Sequence, residues 1–190
     1  MRLVPVTMAV SFLFLCTAGA SAQQKDPQSS YEPRSTPGTG QKYLEKLAGE
    51  WEVVKVFYPR EGQPVRASGQ CRQTMIQDGK FLQSEFVFQQ GDRKSTGLGI
   101  IGFEPETGRF TSFWVDSRQT RMSAGQSSEP FSGDKIVLYS VSLDPQASET
   151  RRSKTVSQLE DEGRKLIHRQ YALGSGEERL MMELILTRKP

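Results

Sequence analysis

The chain has 190 residues, with 25 lysines and arginines against 22 aspartates and glutamates, one histidine and two cysteines. Charges of both signs alternate along it, so no one-sided field favours nucleic acid as a partner. A single histidine, without C-x-x-C or H-E-x-x-H, excludes a multi-histidine metal centre.

Taken from the start, Arg2 precedes the apolar run 8–15 and the small residues Ala20, Ser21 and Ala22, the order of a cleaved secretory signal. That run is far shorter than the ~20 residues of a membrane helix, and no other run approaches that length, so no transmembrane segment is expected. Phe14 and Leu15 before Cys16 argue against a lipoprotein anchor. The reading is an exported protein, periplasmic or extracellular, with residues 1–22 as signal peptide. Cleavage after Ala22 would leave 168 of the 190 residues, about one domain. Cys16 would go with the signal, leaving Cys71 alone, so no intrachain disulfide forms and the domain must rest on its apolar core.

Residues 23–40 are rich in Gln, Pro, Ser, Thr and Gly and read as a disordered linker. A domain at 41–190 follows. Tyr43, Leu44, Leu47 and Ala48 recur at helical spacing, which predicts a short helix over 41–48 capped by Gly49. From Glu50 onward, apolar and polar residues alternate between turn signals. Ten strands are expected at 50–58, 65–77, 80–90, 94–103, 109–116, 118–125, 135–143, 152–161, 164–173 and 178–188. Short strands without intervening helices indicate an all-β antiparallel barrel or sandwich. Leu180, Met182, Leu184, Leu186 and Arg188 share one face of the last strand; Val65, Ala67, Gly69, Cys71, Gln73 and Met75 share the inner face of 65–77. In 50–58 two parities compete, Trp51, Val53 and Phe57 against Val54, Val56 and Tyr58.

Gly49-Glu50-Trp51 opens the first strand after a helix, and Arg188 closes the last. This resembles the lipocalin and fatty-acid-binding superfamily, and the resemblance implies that Trp51 plugs one barrel end beneath the Arg188 guanidinium. Longer phrases are similar to an uncharacterised bacterial family known as domain of unknown function 1579. They are residues 44–53, 79–83, 97–103, 114–117 and 181–189, in that order. The resemblance implies a single secreted, lipocalin-like barrel and carries no activity or catalytic residue.

Gly97-Leu98-Gly99-Ile100-Ile101-Gly102 is a literal G-x-G-x-x-G, but dinucleotide binding needs a strand before it and a helix opening within it. Here the segment is itself a strand, and close approach of neighbouring chains explains the glycines better. His168 has no G-x-S-x-G partner for a hydrolytic triad. A single histidine ligates haem in some barrels, yet a hydrogen-bonded interior histidine is the simpler role, and no cofactor, metal or catalytic residue is assigned.

Phe110, Ser112, Trp114 and Asp116 share a face, Arg118 continues the row, and Glu85 lies on a neighbouring strand. If these rows point inward, Glu85, Trp114, Asp116, Arg118 and His168 line a small-molecule pocket. The plainer alternative pairs Asp116 with Arg118 and leaves Trp114 as core. The expectation is a non-catalytic binding barrel for a small, largely apolar ligand with one polar end. Two alternatives stay open: an enzyme using Glu85, Asp116 and His168 in the same lumen, and a filled barrel that binds a partner. Nothing in the sequence speaks to oligomeric state.

Overall fold

A computed structural model describes residues 36–143, 152–174 and 176–190; the expected signal peptide and the expected linker as far as residue 35 lie outside them. Among the described residues, helix α1 (Thr39–Glu45) precedes β1 (Gly49–Phe57), β2 (Val65–Ile76), β3 (Phe81–Gln90), β4 (Arg93–Glu104) and β5 (Arg109–Asp116). Then come β6 (Met122–Gln126), β7 (Lys135–Leu143), β8 (Arg152–Glu160), a 3₁₀ turn at Asp161–Gly163, β9 (Lys165–Leu173) and β10 (Arg179–Arg188). Each strand pairs antiparallel with its sequence neighbours, and β1 pairs with β10, closing a ten-stranded barrel of the lipocalin-like kind. Closure leaves no unpaired strand edge.

The register defines two ends. Trp51 sits opposite both Arg188 of β10 and Cys71 of β2, whereas Phe57, at the far end of β1, sits opposite Met182. The Trp51 end is closed. Its indole is fully buried, donates from Nε1 to the Leu47 carbonyl at 3.0 Å, and lies under the Arg188 guanidinium at 4.2 Å. Arg188 also donates to the carbonyls of Gly163 (3.0 Å), Ala48 (2.7 Å) and Lys46 (2.6 Å), which ties the helix exit to the last strand. Helix α1 seals this end: Gln41 donates to the Phe103 carbonyl at 2.8 Å and Tyr43 to the Asp134 carbonyl at 2.9 Å.

Gly49 plays a different part from the predicted cap. The helix ends at Glu45, and Gly49 opens β1 at φ +141°, where a Cβ would stand 2.5 Å from Arg188 Nη1. Glycine is needed there for both its backbone and the room it leaves. The helix also starts two residues earlier than expected, inside the supposed linker, because Gly40 lies flat against the Phe103 ring. The expected strand 118–125 shrinks to β6, since residues 117–121 fold into a turn held by Asp116.

In β1 the inner row is Trp51, Val53, Lys55 and Phe57, with Val54 exposed outside. Val56 is buried on the outer face, beside the Arg169–Glu183 ion pair of β9 and β10 (2.8 Å). In β2 the buried row is Ala67, Cys71 and Gln73. The apolar core runs from Tyr43, Leu44 and Leu47 of the helix region through Trp51, Leu82, Phe103, Phe110, Ile136 and Leu186.

Candidate ligand-binding lumen

Above the sealed end the barrel encloses a cavity of about 330 Å³. Its walls differ in chemistry. Rings and aliphatic chains from β1, β3, β5 and β10 form one side, namely Phe57, Phe86, Phe88, Trp114, Met182 and Leu184. Short hydroxyl and amide side chains supply the other. Ser112 and Ser140 converge over Gly125, and Ser153, Thr155 and Ser157 follow along the inner face of β8. Apart from Ser112, which shares the expected row of Trp114, the sequence does not mark these small polar residues, because a serine in a strand carries no inward or outward label until the register is known.

The glycine-rich segment acquires a reason. Gly97 and Gly99 lie on the inner face of β4, opposite Asp116 and Trp114 of β5. A Cβ at Gly97 would run into the outer ring of the indole, and one at Gly99 would stand 3.2 Å from its Cε3. The two glycines make a flat seat for Trp114. Gly102 serves Phe81 in the same way on the outside. The segment is a strand throughout and opens no helix.

The predicted site residues part company here. Trp114, Asp116, Arg118 and His168 all line the cavity. Glu85 does not: it sits on the outer face of β3, exposed, between Arg72 and Leu98 of the adjoining strands. The inner row of β3 is Leu82, Ser84, Phe86 and Phe88, one residue out of phase with the expected inward Glu85. Alternation alone leaves both phases of this ring-rich strand open, because apolar residues fall on each face, and only the register against β2 and β4 decides between them.

Asp116 and Arg118 form a compact pair at the mouth. The Asp116 carboxylate accepts from Arg118 Nε at 3.0 Å, Arg118 Nη2 at 2.8 Å, the Arg118 backbone N–H at 2.9 Å and Trp114 Nε1 at 3.2 Å. Burial pushes its pKa up, but the Arg118 and Trp114 hydrogen bonds outweigh that and hold it at about 2. The carboxylate is therefore fully engaged and stays ionised, which ill suits an acid–base role.

His168 sits deeper on β9, opposite Ser157 of β8 and Leu184 of β10. Its Nδ1 and the Ser157 hydroxyl share a 2.7 Å hydrogen bond. Burial lowers its pKa to about 4, so the ring is neutral at physiological pH. What surface it retains faces the lumen.

Two further polar groups enter the lumen: Lys55, which the sequence does not single out, and Gln73, on the expected inner row of β2. Lys55 lies on the inner row of β1 with Nζ 4.2 Å from the centroid of the Phe88 ring. Burial depresses its pKa, the nearby Arg118 adds to the effect and Asp116 opposes it. At the other end of the cavity, Gln73 of β2 donates from Nε2 to Ser84 Oγ of β3 at 3.1 Å. Among the described residues, three or more metal-ligating side chains converge nowhere.

These features define a closed antiparallel barrel with one sealed end and a small-molecule-sized lumen. The chain belongs to the family described as Protein of unknown function (DUF1579), whose model matches residues 36–188. No curated protein matches it. Among solved structures, the crystal structure of Rv2717c from M. tuberculosis is similar over 82% of this chain and 100% of that one. At a TM-score of 0.55 and 15% identity, the two share a fold.

Proposed function

We propose that this protein is an exported, non-catalytic carrier that holds one small, largely apolar ligand with a polar end inside its barrel. The observation that carries the reading is the cavity itself. At about 330 Å³ it falls near the lower bound of the roughly 300–1,000 Å³ in which proteins hold small molecules. A compact ligand fits, with its apolar body against Phe86, Phe88 and Trp114 and its polar end on one of the hydroxyl or amide side chains of the lining. The export half of the proposal rests on Arg2, the apolar run 8–15 and Ala20-Ser21-Ala22. The chemistry disfavours the enzyme alternative: Glu85 faces outward, Asp116 is bound up with Arg118, and His168 stands apart with Ser157.

The test is titration with the neutral fluorophore N-phenyl-1-naphthylamine. Saturable enhancement with one site per chain is expected, together with quenching of Trp114. Filling the lumen by Thr155→Trp should abolish both while the protein stays folded. Absence of saturable binding, or binding that survives the filled lumen, would overturn the carrier reading.

A further inference from the structure

Among the described residues one buried side-chain polar atom has no hydrogen-bond partner, Gln73 Oε1. Gln73 is 7% exposed and lines the cavity, as does its neighbour Ser84, 5% exposed. Buried acceptors in folded proteins are almost always satisfied, and one left open beside a cavity calls for a partner from that cavity. Ser84 accepts from the Gln73 amide at 3.1 Å, which leaves its own proton to donate. An acceptor and a donor therefore stand side by side. Turning the amide over would exchange donor for acceptor, and one polar atom would still lack a partner.

Position and charge narrow the ligand. Gln73 pairs in register with Gly49 at the sealed end of β1, so the pair belongs to the floor of the lumen. The ionised side chains that line the cavity are Lys55, Asp116 and Arg118, and these belong to the mouth, toward the Phe57 end of β1 and the end of β5. The cation near the floor, Arg188, is spent on three backbone carbonyls and the Trp51 ring. A carboxylate at the floor would meet an acceptor and no counter-charge.

The geometry points to the Gln73–Ser84 pair as the polar subsite of the lumen, one that takes an uncharged group able both to donate and to accept: a hydroxyl, a phenol or a carboxamide. This deepens the carrier reading and rests on it. The ligand enters polar end first, its apolar body following along Phe86 and Trp114.

The test displaces N-phenyl-1-naphthylamine with four molecules of one shape: 4-propylphenol, 4-propylanisole, propylbenzene and 4-propylbenzoate. The phenol should compete about tenfold better than the anisole and the hydrocarbon, the advantage of one buried hydrogen bond. The benzoate should be weaker than the phenol. In Gln73→Leu the phenol's advantage should shrink to about twofold or less, with propylbenzene unchanged. The double variant Gln73→Leu/Ser84→Ala, which removes the unsatisfied pair, should melt no lower than the wild type, because the pair serves a ligand rather than the fold. Equal binding of phenol and anisole, a benzoate that binds best, or a marked loss of melting temperature in the double variant would each overturn the subsite. Failure of the dye itself to bind would instead overturn the carrier reading beneath it.

Discussion

The two tryptophans occupy opposite ends of the barrel and show what each end is for. Trp51 is completely buried, with its N–H on Leu47 and the Arg188 guanidinium over its ring. Every face of that indole meets protein, so the sealed end is packed like an ordinary core. Trp114 is only partly buried. It lies across Gly97 and Gly99, packs edge-on to Phe86 with centroids 5.6 Å apart, and sends its N–H to Asp116. Its remaining surface borders the cavity. The same side chain is a structural plug at one end and a piece of binding wall at the other. What separates them is whether a second element, the helix and Arg188, covers the ring.

The strongest way to break this comparison is to truncate both rings. Trp51→Ala should cost about 3–5 kcal/mol in chemical denaturation, most of it from a cavity that its rigid surroundings cannot collapse. Comparable losses at Trp114 would refute the division of labour.

Next in size comes the pH response of the lumen wall. His168 has a pKa of about 4 in the fold, against about 6.5 in an unfolded chain. Between those values the unfolded chain binds the proton and the folded one refuses it. Stability should therefore fall as pH drops from about 6.5 to 4, by on the order of 2–3 kcal/mol, and recover above. His168→Gln, which keeps a partner for Ser157, should flatten the curve in that window; an unchanged curve would place the response elsewhere.

Arg188→Ala removes the indole's cover and three bonds to carbonyls, and about 2 kcal/mol of destabilisation is expected. Combined with Trp51→Ala it should cost less than the sum, since the two share a contact; strict additivity would deny that they act as one plug.

Trp114→Ala should cost only about 1–2 kcal/mol, because part of the ring already faces open space, yet it should lower affinity for N-phenyl-1-naphthylamine several-fold. Smallest of all is the effect expected at Cys71. Buried on the inner row beside the plug, with burial raising its thiol pKa, it should react with a thiol reagent only after denaturation.

The fold class, most of the strand boundaries, the inner face of β2 and that of β10 from Met182 onward are legible in the chain alone, because regular alternation and turn residues are local properties; a bulge between Leu180 and Met182 takes Leu180 out of the expected row and opposite Tyr171. The sequence also points to Trp51, Arg188, Trp114, Asp116, Arg118 and His168 as residues worth placing. The phase of β3 is not legible there, because Phe81, Phe86, Val87 and Phe88 supply apolar residues to both faces, and Glu85 lies outside, not in the lumen as expected. Nor does the sequence show that G-x-G-x-x-G is a seat for an indole, that Gly49 makes way for a guanidinium, or that Lys55 and Gln73 belong to one lumen. Those facts depend on which strands lie side by side and in what register. The register of β4 on β5, which sets residue 97 opposite residue 116, and closure of the barrel through β1 and β10, which brings residue 49 beside residue 188, decide them.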